Sequence, residues 1–185
     1  MWSSWPRFRF HSITGNQVKE TPVNTYERIL ERSRAKHRDI LKKMRHLSRL
    51  KKPNFDSIVH RFHDEVFDEI DCTECGLCCR NMGPVFRNTD IKHICSYIGS
   101  NEKEFIARYL VQDPDGVGYM LKELPCPFQA DDNTCEIYDC RTLSCVNFPH
   151  TQSVNMQKKL VGLVLDSRFC PAAFLICEKI IKEYP

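Results

Sequence analysis

Eleven cysteines occupy this chain of 185 residues, and their placement constrains the fold more than any other feature. Four fall within eight residues, Cys72, Cys75, Cys78 and Cys79, in the run Asp71-Cys-Thr-Glu-Cys-Gly-Leu-Cys-Cys-Arg80. The others follow as Cys95, Cys126, Cys135, Cys140, Cys145, Cys170 and Cys177, and none precedes Cys72. Thiols concentrated this way make either a disulfide scaffold or a thiolate metal site.

The metal reading is favoured. Disulfide-dense domains are usually small and secreted, bridged because their cores are too small. This chain is 42% hydrophobic and long enough to bury an ordinary core. Met1–Phe10 lacks the apolar region and small-residue cleavage site of a signal peptide. An odd thiol count also leaves one over if the rest pair. The longest apolar stretches, Leu160–Leu165 and Ala172–Cys177, are far short of a membrane span. A soluble, cytoplasmic protein is expected. The first eighteen residues carry Arg7 and Arg9 without acids, a faint transit-peptide signal. A disordered start over 1–23 is the preferred reading.

Charge divides the molecule. Residues 1–52 hold 14 Lys/Arg against 4 Asp/Glu, or +10; residues 53–185 hold 13 against 20, or −7. A basic amphipathic helix is therefore expected over 24–53, capped by Asn24 or Thr25, ahead of a cysteine-rich metal-binding domain over 54–185. Its stripe of Tyr26, Ile29, Leu30, Ile40, Leu41, Met44, Leu47 and Leu50 should pack on the domain. The exposed bases could meet a protein partner. Nucleic acid is not expected, because no aromatic or base-reading pattern interleaves with the charge.

A second helix is expected from Asp56 to Ile70, with His60 and His63 three residues apart on it; so many thiols make both poor metal candidates. Helices should follow over Asn88–Tyr97 and Asn101–Leu110, with Cys95 a buried hydrophobe. Val117–Lys122 and Lys159–Leu165 read as short strands, and Pro171 opens a last helix that buries Cys177. The fold class expected is mainly α with short β strands and loop-rich segments.

Cys72 and Cys75 form one C-x2-C knuckle of the kind zinc sites use, with Gly76 permitting a tight turn. Cys72, Cys75 and Cys78 also reproduce the first three positions of a ferredoxin motif, with Cys170-Pro171 as a remote fourth. Both zinc and iron, including an iron–sulfur cluster, remain open on spacing. Adjacent Cys78 and Cys79 should point apart, as successive side chains do in extended backbone. Adding Cys126, Cys135, Cys145 and Cys170 gives eight sulfurs, enough for two four-thiolate sites or one polynuclear site.

Cys72-Thr-Glu-Cys-Gly-Leu-Cys-Cys-Arg80, with Cys126-Pro-Phe128, Cys135-Glu-Ile-Tyr138, Arg141, Cys145 and Phe148-Pro149, resembles the YkgJ-type cysteine-cluster family. That family carries a CxxCGxCC signature and is described as zinc- or iron-chelating. The resemblance implies Cys72, Cys75, Cys78, Cys79, Cys126, Cys135, Cys145 and Cys170 as the metal set. Thr142 departs from the proline usual after the arginine, and Cys140 and the basic helix fall outside the pattern. A metal-binding module is the leading reading. A cluster-assisted protein-modifying enzyme, resembling flagellin lysine methylases, is one alternative, and metal storage or delivery is another. The chain shows no glycine-rich methyl-donor loop or hydrolytic triad. Arg80 and Arg141 could stabilise thiolate charge, whereas Tyr138 reads as a packing residue.

Overall fold

The computed structural model describes residues 22–114 and 116–185. The readings of Met1–Phe10 and of the first eighteen residues lie outside them. Within the described residues the chain is mainly helical with a single two-stranded sheet.

The first helix, α1, spans Pro22–Leu47. Asn24 and Thr25 therefore lie in its first turn rather than capping it. Its apolar stripe buries Tyr26, Leu30, Ile40, Met44 and Leu47 as the pattern predicts, but Leu50 lies past the end of α1 and is exposed. The stripe packs against α8 (Met156–Asp166) and α9 (Pro171–Glu183), while α2 (Phe55–Phe67) closes the bundle against the same pair. Ser33 is the polar exception: its hydroxyl donates to the Ser167 carbonyl at 2.7 Å, satisfying a buried group.

One expectation fails here. Lys159–Leu165, read as a strand, lies inside α8. Met156, Leu160, Leu163 and Val164 are buried at helical spacing, and this tertiary burial overrides the local β preference of its valines and leucines. The start of α8 is capped from a distance, since the Asp56 carboxylate on α2 accepts from the Asn155 and Met156 amides at 2.7 and 2.8 Å. Nearby, His63 Nδ1 lies 2.7 Å from Thr151 Oγ1 and His60 Nε2 lies 3.1 Å from the Ser153 carbonyl. Both histidines thus fasten the 150–156 loop to α2.

A second, smaller apolar cluster gathers Phe86, Ile91, Ile94, Cys95, Phe105, Leu110, Phe128, Ile137 and Cys140. It is built by α5 (Asn88–Ile98), α6 (Glu102–Tyr109) and the antiparallel pair β1 (Leu110–Gln112) and β2 (Tyr119–Leu121). Strand β2 lies within the expected 117–122 segment, whereas β1 starts at Leu110, the last residue of the helix expected over Asn101–Leu110. Leu110 pairs with Leu121 and Gln112 with Tyr119. Among the described residues no helix is long and apolar enough to cross a membrane.

Candidate metal centre

The thiols collect at the seam between the two apolar clusters. Cys75 and Cys170 belong to the bundle's core, while Cys126 and Cys135 pack against the smaller one. The knuckle itself is two helical turns, α3 (Cys72–Cys75) and α4 (Leu77–Asn81), joined at Gly76. Asp71 caps α3, its Oδ1 accepting from the Thr73 amide at 2.7 Å. Gly76 sits at φ +58, and a Cβ there would collide with the Gln129 amide and lie 2.8 Å from Asn133 Oδ1.

That near-collision marks a clasp. The loop between Cys126 and Cys135 folds over the knuckle: Gln129 Nε2 donates to the Gly76 carbonyl at 3.0 Å, and Asn133 Nδ2 to the Glu74 carbonyl at 3.1 Å. The Cys126 amide donates to the Cys79 carbonyl at 2.8 Å, and Arg80 donates to Asn133 Oδ1. That backbone bond sets two cysteines 47 residues apart against each other, Cys126 and Cys79. Asn133 adopts φ 70 inside Asp131-Asp-Asn-Thr134, a turn composition that sequence reasoning passed over.

Cys145 lies on α7 (Leu143–Asn147), capped by Thr142, whose Oγ1 accepts the Cys145 amide at 3.2 Å. The departure from proline therefore supplies a helix cap rather than loosening the turn. Asp90 ties this segment to α5, accepting from the Leu143 amide at 3.2 Å and the Arg87 amide at 2.9 Å. Cys170 is the N-cap of α9, its sulfur 3.4 Å from the Ala173 amide. From α1, Tyr26 lies against the knuckle beside Asp71, where α1 meets α3.

Electrostatics draws the set together. Cys79 is felt by Cys72, Cys75, Cys126, Cys135 and Cys145, while Cys170 in turn feels Cys72 and Cys75. Cys78 joins through its sulfur, 3.9 Å from that of Cys79. These two were expected to diverge; on the helical backbone of α4 successive side chains are turned by about 100° rather than opposed, so the sulfurs meet. Burial pushes the Cys75, Cys126 and Cys145 thiols up to about 11 and raises Cys72, Cys135 and Cys170. Cys79 is raised first by its contact with Cys78 and then by burial. Against this, the Arg141 guanidinium pulls Cys72 and Cys135 down and Arg80 pulls Cys75 down. Arg141 is held flat over the Tyr138 ring at 3.7 Å and donates to the Tyr138 carbonyl at 2.9 Å. Tyr138 is thus a platform.

The remaining cysteines are core residues, although Cys140 is raised by burial and then by the neighbouring Cys135. Cys95 and Cys140 are buried in the smaller cluster and Cys177 in the bundle. Among the described residues, no three His, Cys, Asp or Glu side chains already stand in ligating geometry. The donors are gathered as thiols, not yet closed into a shell. Their chemistry fits a soft or borderline cation: sulfur donors select zinc and iron over magnesium or calcium. A bound metal would supply the positive charge that lets buried thiols ionise together.

The family described as "CxxCxxCC: Putative zinc- or iron-chelating domain" matches residues 71–170, more than half of the chain. No curated protein and no solved structure matches the chain.

Proposed function

As the chain belongs to the CxxCxxCC family, we propose that it is an intracellular zinc- or iron-binding protein whose ligands are Cys72, Cys75, Cys78, Cys79, Cys126, Cys135, Cys145 and Cys170. What supports this reading is that these eight thiols share one electrostatic neighbourhood at the seam of the molecule, while Cys95 and Cys177 stand outside it. The contact of Cys79 with Cys78, and its reach to both halves of the set, favour one polynuclear site over two separate ones. Metal binding then stabilises the fold directly, because it ties a loop-rich region to a helical bundle.

The test is composition. Protein purified without chelator carries two or more equivalents of zinc or iron per chain by elemental analysis. A brown protein with a broad band near ~400 nm selects an iron–sulfur cluster, and a colourless one with stoichiometric zinc selects a zinc-thiolate site. Folded, metal-free material with its thiols idle or joined in disulfides overturns the proposal.

A further inference from the structure

Helix α1 carries more positive charge than its packing uses. Arg32 and Lys36 each pair with Glu178 on α9 at 2.7 Å, fastening the helix to the bundle. Beyond them, Arg38, Lys42 and Arg45 recur at steps of four and three on one face of α1, and Arg49, in the turn just past its end, extends their row. All four are exposed, and their face is turned away from the buried stripe of Leu30, Ile40, Met44 and Leu47. With Leu41 and His46 they line a shallow recess of ≈ 390 Å³. None of the four enters an ion pair among the described residues. Asp39 is the one carboxylate three or four positions from any of them. Like charges this close repel, so an anion that covers them is bound favourably.

The surroundings decide which anion. A bilayer requires an apolar face to insert, and the apolar face of α1 is already buried in the core. A long nucleic acid meets opposition at both sides. Exposed Glu27 and Glu31 continue the same row toward the N-terminus, and residues 53–185 carry 13 Lys/Arg against 20 Asp/Glu, or −7. Nor does the lining of the recess offer a Phe, Tyr or Trp ring for a base to stack on. The cationic stretch from Arg38 to Arg49 is about 16 Å long, the reach of a few carboxylates on a short peptide. Arginine forks bind carboxylates in pairs and give such a contact its geometry.

We propose that the outer face of α1, through Arg38, Lys42, Arg45 and Arg49, docks a short acidic segment of a partner protein. The surface is independent of metal loading, because the thiol knuckle meets α1 at its opposite end, through Tyr26. Full-length protein titrated into a fluorescein-labelled decaglutamate peptide is expected to give saturable anisotropy that weakens with added salt. The exposed pair Lys42→Glu/Arg45→Glu should weaken binding tenfold or more, and Lys92→Glu on α5 should leave it unchanged. The neutralising pair Arg38→Gln/Arg49→Gln gives a second, milder reading, with circular dichroism verifying each fold. Absent peptide binding, indifference to both pairs, or tighter binding of a ten-thymidine oligonucleotide or of phosphatidylserine vesicles overturns the proposal.

Discussion

The bundle of α1, α2, α8 and α9 contains 23 buried residues in one cluster, against nine in the cluster of α5, α6 and the β1–β2 hairpin. The first draws 19 of them from helices of 11 to 26 residues, long enough to present continuous apolar stripes. The second relies on aromatic stacking: Phe105 lies 5.8 Å from Phe128 and 6.3 Å from Phe86 between ring centroids, with Tyr109 at 5.2 Å. Its perimeter is loop, from Lys122 to Ile137. A core of that size is marginal unless something else restrains the chain. The proposed thiolate site lies where the restraint is wanted, between the two, with Cys75 and Cys170 on one side and Cys126 and Cys135 on the other. Burial suffices for one region, and the proposed site would restrain the other.

Metal removal is the strongest way to break this contrast. With a chelator, amides of residues 126–147 are expected to exchange a hundredfold faster or more, while the central amides of α8 and α9 keep their protection. Hydrogen exchange read by mass spectrometry would show it. Uniform loss of protection, or none anywhere, would remove the distinction between the regions. A matched pair of truncations sharpens it next. Phe174→Ala, at a fully buried bundle position, should cost about 3–5 kcal/mol with metal content unchanged. Phe105→Ala, equally buried, should instead lower metal retention about tenfold in chelator competition, because it loosens the clasp over the knuckle. Equal metal retention in the two variants would show that the aromatic cluster does not support the site.

The same division explains what the sequence made legible. The α1 stripe, the helices on either side of the knuckle and the burial of Cys95 and Cys177 follow from periodicity, because helical burial has a local signature. Lys159–Leu165 misled: seven residues rich in Val and Leu do not distinguish a strand from a helix buried at Leu160, Leu163 and Val164. The eight candidate ligands were legible as a set from spacing and resemblance. Their assembly was not, because it rests on Gln129, Asn133 and Asp90 bonding to residues far away in the chain. Nothing local announces that an amide 53 residues on will cap a glycine turn. The positive φ that such a turn demands is visible only at Gly76 itself.

The smallest expected effect lies in the bundle and bears on its claim to independence. Asp166 ends α8, where the helix dipole already disfavours negative charge, and burial raises its carboxyl to about 6. Because the folded value lies above the unfolded one of about 3.9, its favourable contribution is complete below pH ~4. That contribution is lost as pH rises through about 6, and the ionised carboxylate opposes folding above it. A sealed carboxylate held that high would cost about 3 kcal/mol; water screening at this half-buried site reduces the expected cost to about 1 kcal/mol. Asp166→Asn should therefore match the parent chain near pH 4 and exceed its Tm by about 2–4 °C near pH 7.5. Measured on chelated protein, the gain isolates the bundle from the metal. A constant offset across that pH range would mean that the carboxylate ionises freely in the folded state, and a gain present only in the metal-loaded protein would mean that α8 and the turn leading to Cys170 respond to the site rather than stand apart from it.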